Sequence, residues 1–130
     1  MLNKKFVIVS VVFLGASVFF VGCYKDRTVV TDVPEITRTV TFSQDIIPIF
    51  NASCNTSGCH SSGGQRPDLT APNAYNSLST GGYVDKDNPE NSLLYLKVSG
   101  QKGTPMPPGG VNKEYSALIL AWIKQGANNN

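Results

Sequence analysis

Residues 54–60 read Cys-Asn-Thr-Ser-Gly-Cys-His, and no other stretch constrains the chain so tightly. Two thiols and an imidazole so close in sequence stay close in space whatever the fold, because a short segment cannot spread them across a domain. His60 is the only histidine of the 130 residues, and Met106 is the only methionine besides Met1. The adjacency of Cys59 and His60 is fixed, while Cys54 stands four residues before Cys59, so the intervening Asn-Thr-Ser-Gly must bulge. Gly58 gives that bulge a position where a positive φ costs little.

A leader has to be set aside before the core is counted. Two lysines, Lys4 and Lys5, precede an almost wholly apolar run from Phe6 to Val21, which closes at Gly22-Cys23. Residues 1–22 have the pattern of a signal peptide. A small residue directly before a cysteine at the end of such a run resembles the lipobox of bacterial lipoproteins, in which the cysteine is acylated; Phe20 stands where that family usually has leucine. The other reading is an uncleaved transmembrane anchor at the short end of the roughly 17 to 25 residues that span a bilayer. Both place the domain outside the cytoplasm, on the periplasmic or cell-surface side of a bacterial membrane, where thioether and disulfide chemistry is tolerated. Loss of Lys4 and Lys5 takes eleven basic residues to nine against nine acidic, so the mature chain is formally neutral. No basic stripe remains to suggest nucleic acid.

Downstream of Cys23, residues 23–41 read as a lipidated tether, rich in Thr, Val and charge with a single Pro34 and no helical stripe. Fully extended, residues 24–40 reach on the order of 55 Å at about 3.3 Å each. The alternative is an edge strand over 28–33 or 36–42, since Thr and Val favour extended backbone. Residues 42–130 form the expected domain. Its first helix starts at Ser43 or Asp45 as cap, with Ile46, Ile47, Ile49 and Phe50 as apolar side and Pro48 tolerated near the first turn. Two Gly-Gly pairs, Pro67 and Pro72 make 61–82 mostly loop, with one helical turn over 73–78. Asn88-Pro89 predicts a helix through Leu93, Leu94, Leu96 and Val98 to Gly100. Asn112 caps the last helix, whose Tyr115, Leu118, Ile119, Trp122 and Ile123 share one face before Gly126. Three or four short helices with long loops make an all-α domain that looks short of core, a gap that an apolar cofactor would fill.

Two cysteines followed at once by histidine are the sequence signal for c-type haem attachment, though usually with two residues between the cysteines instead of four. Two thiols add to the two vinyl groups of a porphyrin and the adjacent imidazole turns back to iron. Four features then occur in order: Asp45-Ile46-Ile47-Pro48-Ile49-Phe50, the segment Cys54 to His60, Pro105-Met106-Pro107-Pro108-Gly109-Gly110, and Leu120-Ala121-Trp122-Ile123 with Gly126-Ala127. On these the chain resembles a monohaem member of the class I cytochrome c family with a lengthened attachment loop, over about residues 42–127. The resemblance implies a small cytochrome c-like fold around one covalent haem c, thioethers at Cys54 and Cys59, His60 and Met106 as axial iron ligands, and a proline carbonyl as acceptor for the other ring nitrogen of His60. Pro67 is the candidate for that acceptor, with Pro72 the other. It further implies electron transfer between redox protein partners and no catalytic residues, because iron with both axial positions filled leaves no place for substrate.

Other readings stand beside this one. Cys54 and Cys59 pair as an ordinary disulfide in a structural exported lipoprotein, which leaves the Pro-Met-Pro-Pro-Gly-Gly segment unexplained. A haem enzyme or gas sensor results if Met106 does not bind iron. Zinc lacks ligands, with one histidine chain-adjacent to Cys59, and blue copper lacks a second histidine; a Cys-Met copper(I) carrier stays open. Trp122 reads as core.

Overall fold

The change from extended to helical backbone comes at Thr41, two residues before the earlier of the expected caps. The computed structural model describes residues 33–130. The signal peptide, Cys23 and most of the tether, with all of the alternative strand over 28–33 except Val33, lie outside the described residues. A π-helical turn, Phe42–Ile46, runs directly into helix α1, Ile47–Ser53. Asp45 is not the cap. It lies in the first turn and reaches back, its carboxylate accepting the Thr41 N–H at 2.8 Å and the Thr41 hydroxyl at 3.3 Å. This is the logic of a capping box with one residue added by the wider turn. The wide turn also suits Pro48, which has no N–H to donate and whose ring would crowd the carbonyl four residues back in a tight α-turn. The Ile47 N–H bonds to the Phe42 carbonyl instead.

Helix α2, Ala74–Thr80, is longer than the single turn expected there. The helix expected from Asn88 is broken in two: a 3-10 turn, Pro89–Asn91, then α3, Leu93–Val98. Ser92 between them is extended at ψ 127°, and its buried hydroxyl accepts the Asp85 N–H at 2.9 Å while donating to the Asp85 carbonyl at 3.1 Å. That local bond outcompetes a continuous helix. Asn88 caps nothing through its side chain. Helix α4, Lys113–Lys124, is as expected, with Asn112 Oδ1 accepting the Glu114 and Tyr115 N–H groups at 3.0 and 3.1 Å. Among the described residues there is no strand, and no helix is long and apolar enough to cross a membrane. The domain is all-α.

Helix α4 packs against the π turn, the 3-10 turn and α3. Phe42 is the hub: its ring lies 5.1 Å from Trp122, 5.4 Å from Tyr75 and 6.2 Å from Phe50, edge-on to the last two. Trp122 is buried as core, its indole N–H donating to the Asn128 carbonyl at 2.9 Å. The expected tether ends earlier than residue 41, since Val40 is only 2% exposed. No edge strand forms over 36–42. The Val40 N–H goes to Gln125 Oε1 at 2.9 Å and the Arg38 carbonyl takes Gln125 Nε2 at 3.0 Å, so one side-chain amide does what a partner strand would have done.

Candidate haem site

Helix α1 delivers the chain into Cys54, whose N–H still bonds to the Phe50 carbonyl. Its side chain is buried, and burial, helped by neighbouring Cys59, pushes the thiol pKa up to about 11. At neutral pH Cys54 is therefore a protonated, poorly nucleophilic thiol. Cys59 is exposed, and both cysteines are free thiols. The His60 N–H donates to the Cys54 carbonyl at 3.1 Å, closing the segment 54–60 on itself. Residues 56–58 are exposed and bulge outward, with Gly58 at φ +80°.

The chain then turns back under His60. The Gln65 N–H bonds to the Cys59 carbonyl at 2.8 Å and the Leu69 N–H to the His60 carbonyl at 2.8 Å. Gly64 is required by this return, because a Cβ there would run into the Cys59 carbonyl oxygen. The turn places two carbonyl oxygens against one ring nitrogen: His60 Nδ1 is 3.1 Å from the Pro67 oxygen and 3.2 Å from that of Gln65. A carbonyl only accepts, so Nδ1 carries the proton, and in the neutral ring Nε2 keeps its lone pair. The acceptors are Pro67 and Gln65, not Pro72. A ring locked in one tautomer by a backbone carbonyl is how metal-binding imidazoles are held.

Met106 comes from the loop between α3 and α4. Its N–H donates to the Lys97 carbonyl at 3.0 Å, which ties this loop to α3. Cys54, Cys59, His60, Pro67 and Met106 all line one cavity of about 290 Å³, with Leu69, Leu94 and Val98 among its apolar walls. Every site residue expected in the described part of the chain thus faces the same space. Arg66 and Lys97, which the sequence reading passed over, line it as well. The signal available for Lys97 was its place in the otherwise apolar run Leu93-Leu94-Tyr95-Leu96-Lys97-Val98.

The donor set fits a haem of c type. It offers two thiols, one imidazole with a free Nε2 and one thioether around a mostly apolar hollow. It does not fit a protein-only cage, for among the described residues no three His, Cys, Asp or Glu side chains cluster as a metal site. The chain matches no family model, no curated protein and no solved structure.

Proposed function

We propose that this chain is a monohaem electron carrier with a small cytochrome c-like fold, exported and lipid-anchored through Cys23, that exchanges electrons with redox protein partners. The observation that carries the reading is the pairing in one apolar cavity of His60, its Nδ1 proton committed to Pro67 and Gln65, with Met106, the only methionine downstream of the leader. One-electron exchange between ferrous and ferric iron is the chemistry that haem supplies when bound. Cys54 and Cys59 would hold it through thioethers, while His60 Nε2 and the Met106 sulfur would bind its iron. Pro67 and Gln65 hold the imidazole, and Leu69, Leu94 and Val98 would keep water from the bound group. A soft thioether favours the reduced metal and raises its potential, which suits a relay.

The test is a denaturing gel stained for haem beside an intact mass, on the full chain made in a host competent for cytochrome c maturation. One covalent haem per chain is expected. Colourless protein with a Cys54–Cys59 disulfide would put the structural lipoprotein in its place.

A further inference from the structure

The charge around the cavity is one-sided. Arg66 and Lys97 are its only charged lining residues, and no carboxylate lines it. Arg66 has no hydrogen-bond or ion-pair partner among the described residues, and the Lys97 ammonium makes only a long 3.4 Å contact to the Thr104 carbonyl. Arg38 pairs with Asp45 at 2.7 Å and Lys124 with Glu90 at 2.8 Å, and neither of these paired cations lines the cavity. Two uncompensated cations beside an apolar wall focus a field that attracts anions.

Their backbone positions add to this. Arg66 lies between Gln65 and Pro67, the two residues whose carbonyls hold His60 Nδ1, and the Lys97 carbonyl holds the Met106 N–H. Each cation is therefore carried by the segment that fixes one of the two candidate iron ligands. We propose that the cavity selects an apolar ligand bearing carboxylates, and that Arg66 and Lys97 bind those carboxylates and set how the ligand is turned. This deepens the haem reading and rests on it for the ligand's identity, since a haem porphyrin carries two propionates. The recognition itself needs neither iron nor thioether.

Iron-free protoporphyrin IX isolates it, because such a porphyrin cannot be ligated by His60 or Met106. The full chain, purified in detergent from cells lacking cytochrome c maturation, is titrated with protoporphyrin IX and with its dimethyl ester, read by porphyrin fluorescence. The diacid should bind more tightly than the diester. R66Q and K97Q should each weaken the diacid by up to about tenfold, as expected for a charge-assisted bond at a partly open site, and leave the diester unchanged. R66K should keep most of the diacid affinity, and K124Q should alter neither ligand. Equal binding of diacid and diester, equal loss of both in the glutamine variants, or no binding of either overturns the proposal. The haem-stained gel decides the other reading separately. A stained band without diacid preference removes the carboxylate recognition alone, and diacid preference without a stained band supports it while removing covalent haem.

Discussion

Cys54 and Cys59 sit in opposite surroundings, and the difference ranks their chemistry. Cys59 is exposed and adjacent to the braced His60, whereas Cys54 is buried with its thiol pKa raised to about 11. Thioether formation at Cys59 should therefore tolerate the loss of its neighbour better than the reverse. Cys54→Ala is expected to retain part of its covalent haem and Cys59→Ala to retain less, by haem-stained yield per chain; the opposite order would identify the helix end as the anchor. Met106 makes a second prediction at this scale. On the haem reading its side chain would contribute a ligand atom, while its backbone N–H, bonded to the Lys97 carbonyl, does the holding, so Met106→Ala should keep the loop and the attached haem. It should lower the reduction potential and admit carbon monoxide in the reduced state. An unchanged spectrum and potential would leave Met106 as packing and favour a haem enzyme or sensor.

The π turn is the element from which α1 starts, and α1 then leads into Cys54. Asp45 secures the turn from both sides, binding the Thr41 N–H and accepting from Arg38 at 2.7 Å. The Arg38 hydrogen bond, then the Thr41 N–H, hold its carboxyl below the ordinary value of 3.8. A carboxylate whose pKa is lower in the folded chain adds stability above the unfolded value, and that stability is lost as pH falls through the folded one. Asp45→Asn should therefore cost about 1 kcal/mol at pH 7, the usual size of a cap, with part of that retained because an amide oxygen still accepts. Unfolding by urea at pH 7 and at pH 3 tests this: the gap between variant and parent should narrow at the lower pH. Ser92 acts in the opposite sense at the start of α3, ending the 3-10 turn so that Leu94, Lys97 and Val98 face the cavity together.

Closure of the whole domain depends on its two ends meeting. The Phe42 N–H reaches Asn130 Oδ1 and the Ser43 N–H the Asn130 carbonyl, both at 2.9 Å, while Gln125 grips Arg38 and Val40. These bonds hold the π turn against α4 over the Phe42 and Trp122 rings, on the far side of α1 from the attachment loop in sequence. Gln125→Ala leaves the half-buried Val40 N–H without its acceptor and should destabilise the domain by about 1–3 kcal/mol. A thermal melt of the haem-loaded full chain would register it, and the visible spectrum should stay as in the parent because Gln125 is not a cavity residue. A spectrum that changes with the melt would mean that end closure and the cavity are coupled.

The helical character of the domain, the α4 face with its Asn112 cap and the outward bulge at Gly58 were all legible in the sequence, because each rests on contacts within a few residues. So were the chemical types of Cys54, Cys59, His60 and Met106. What short-range reasoning missed was competition between partners. Asp45 serves as acceptor for Thr41 instead of cap because the π turn ahead of Pro48 adds a residue, and Ser92 breaks a helix because the Asp85 backbone lies within reach. Val40 joins the core through an amide 85 positions away. The Arg66 and Lys97 charges take meaning only from the cavity they line, since separated cations in sequence say nothing of a shared apolar wall. Composition and local spacing determined which groups this protein has for chemistry, and the resemblance they carry marked Pro67 as an acceptor for His60; the tertiary structure decided for Pro67 over Pro72 and added Gln65, because that depends on where those carbonyls come to rest.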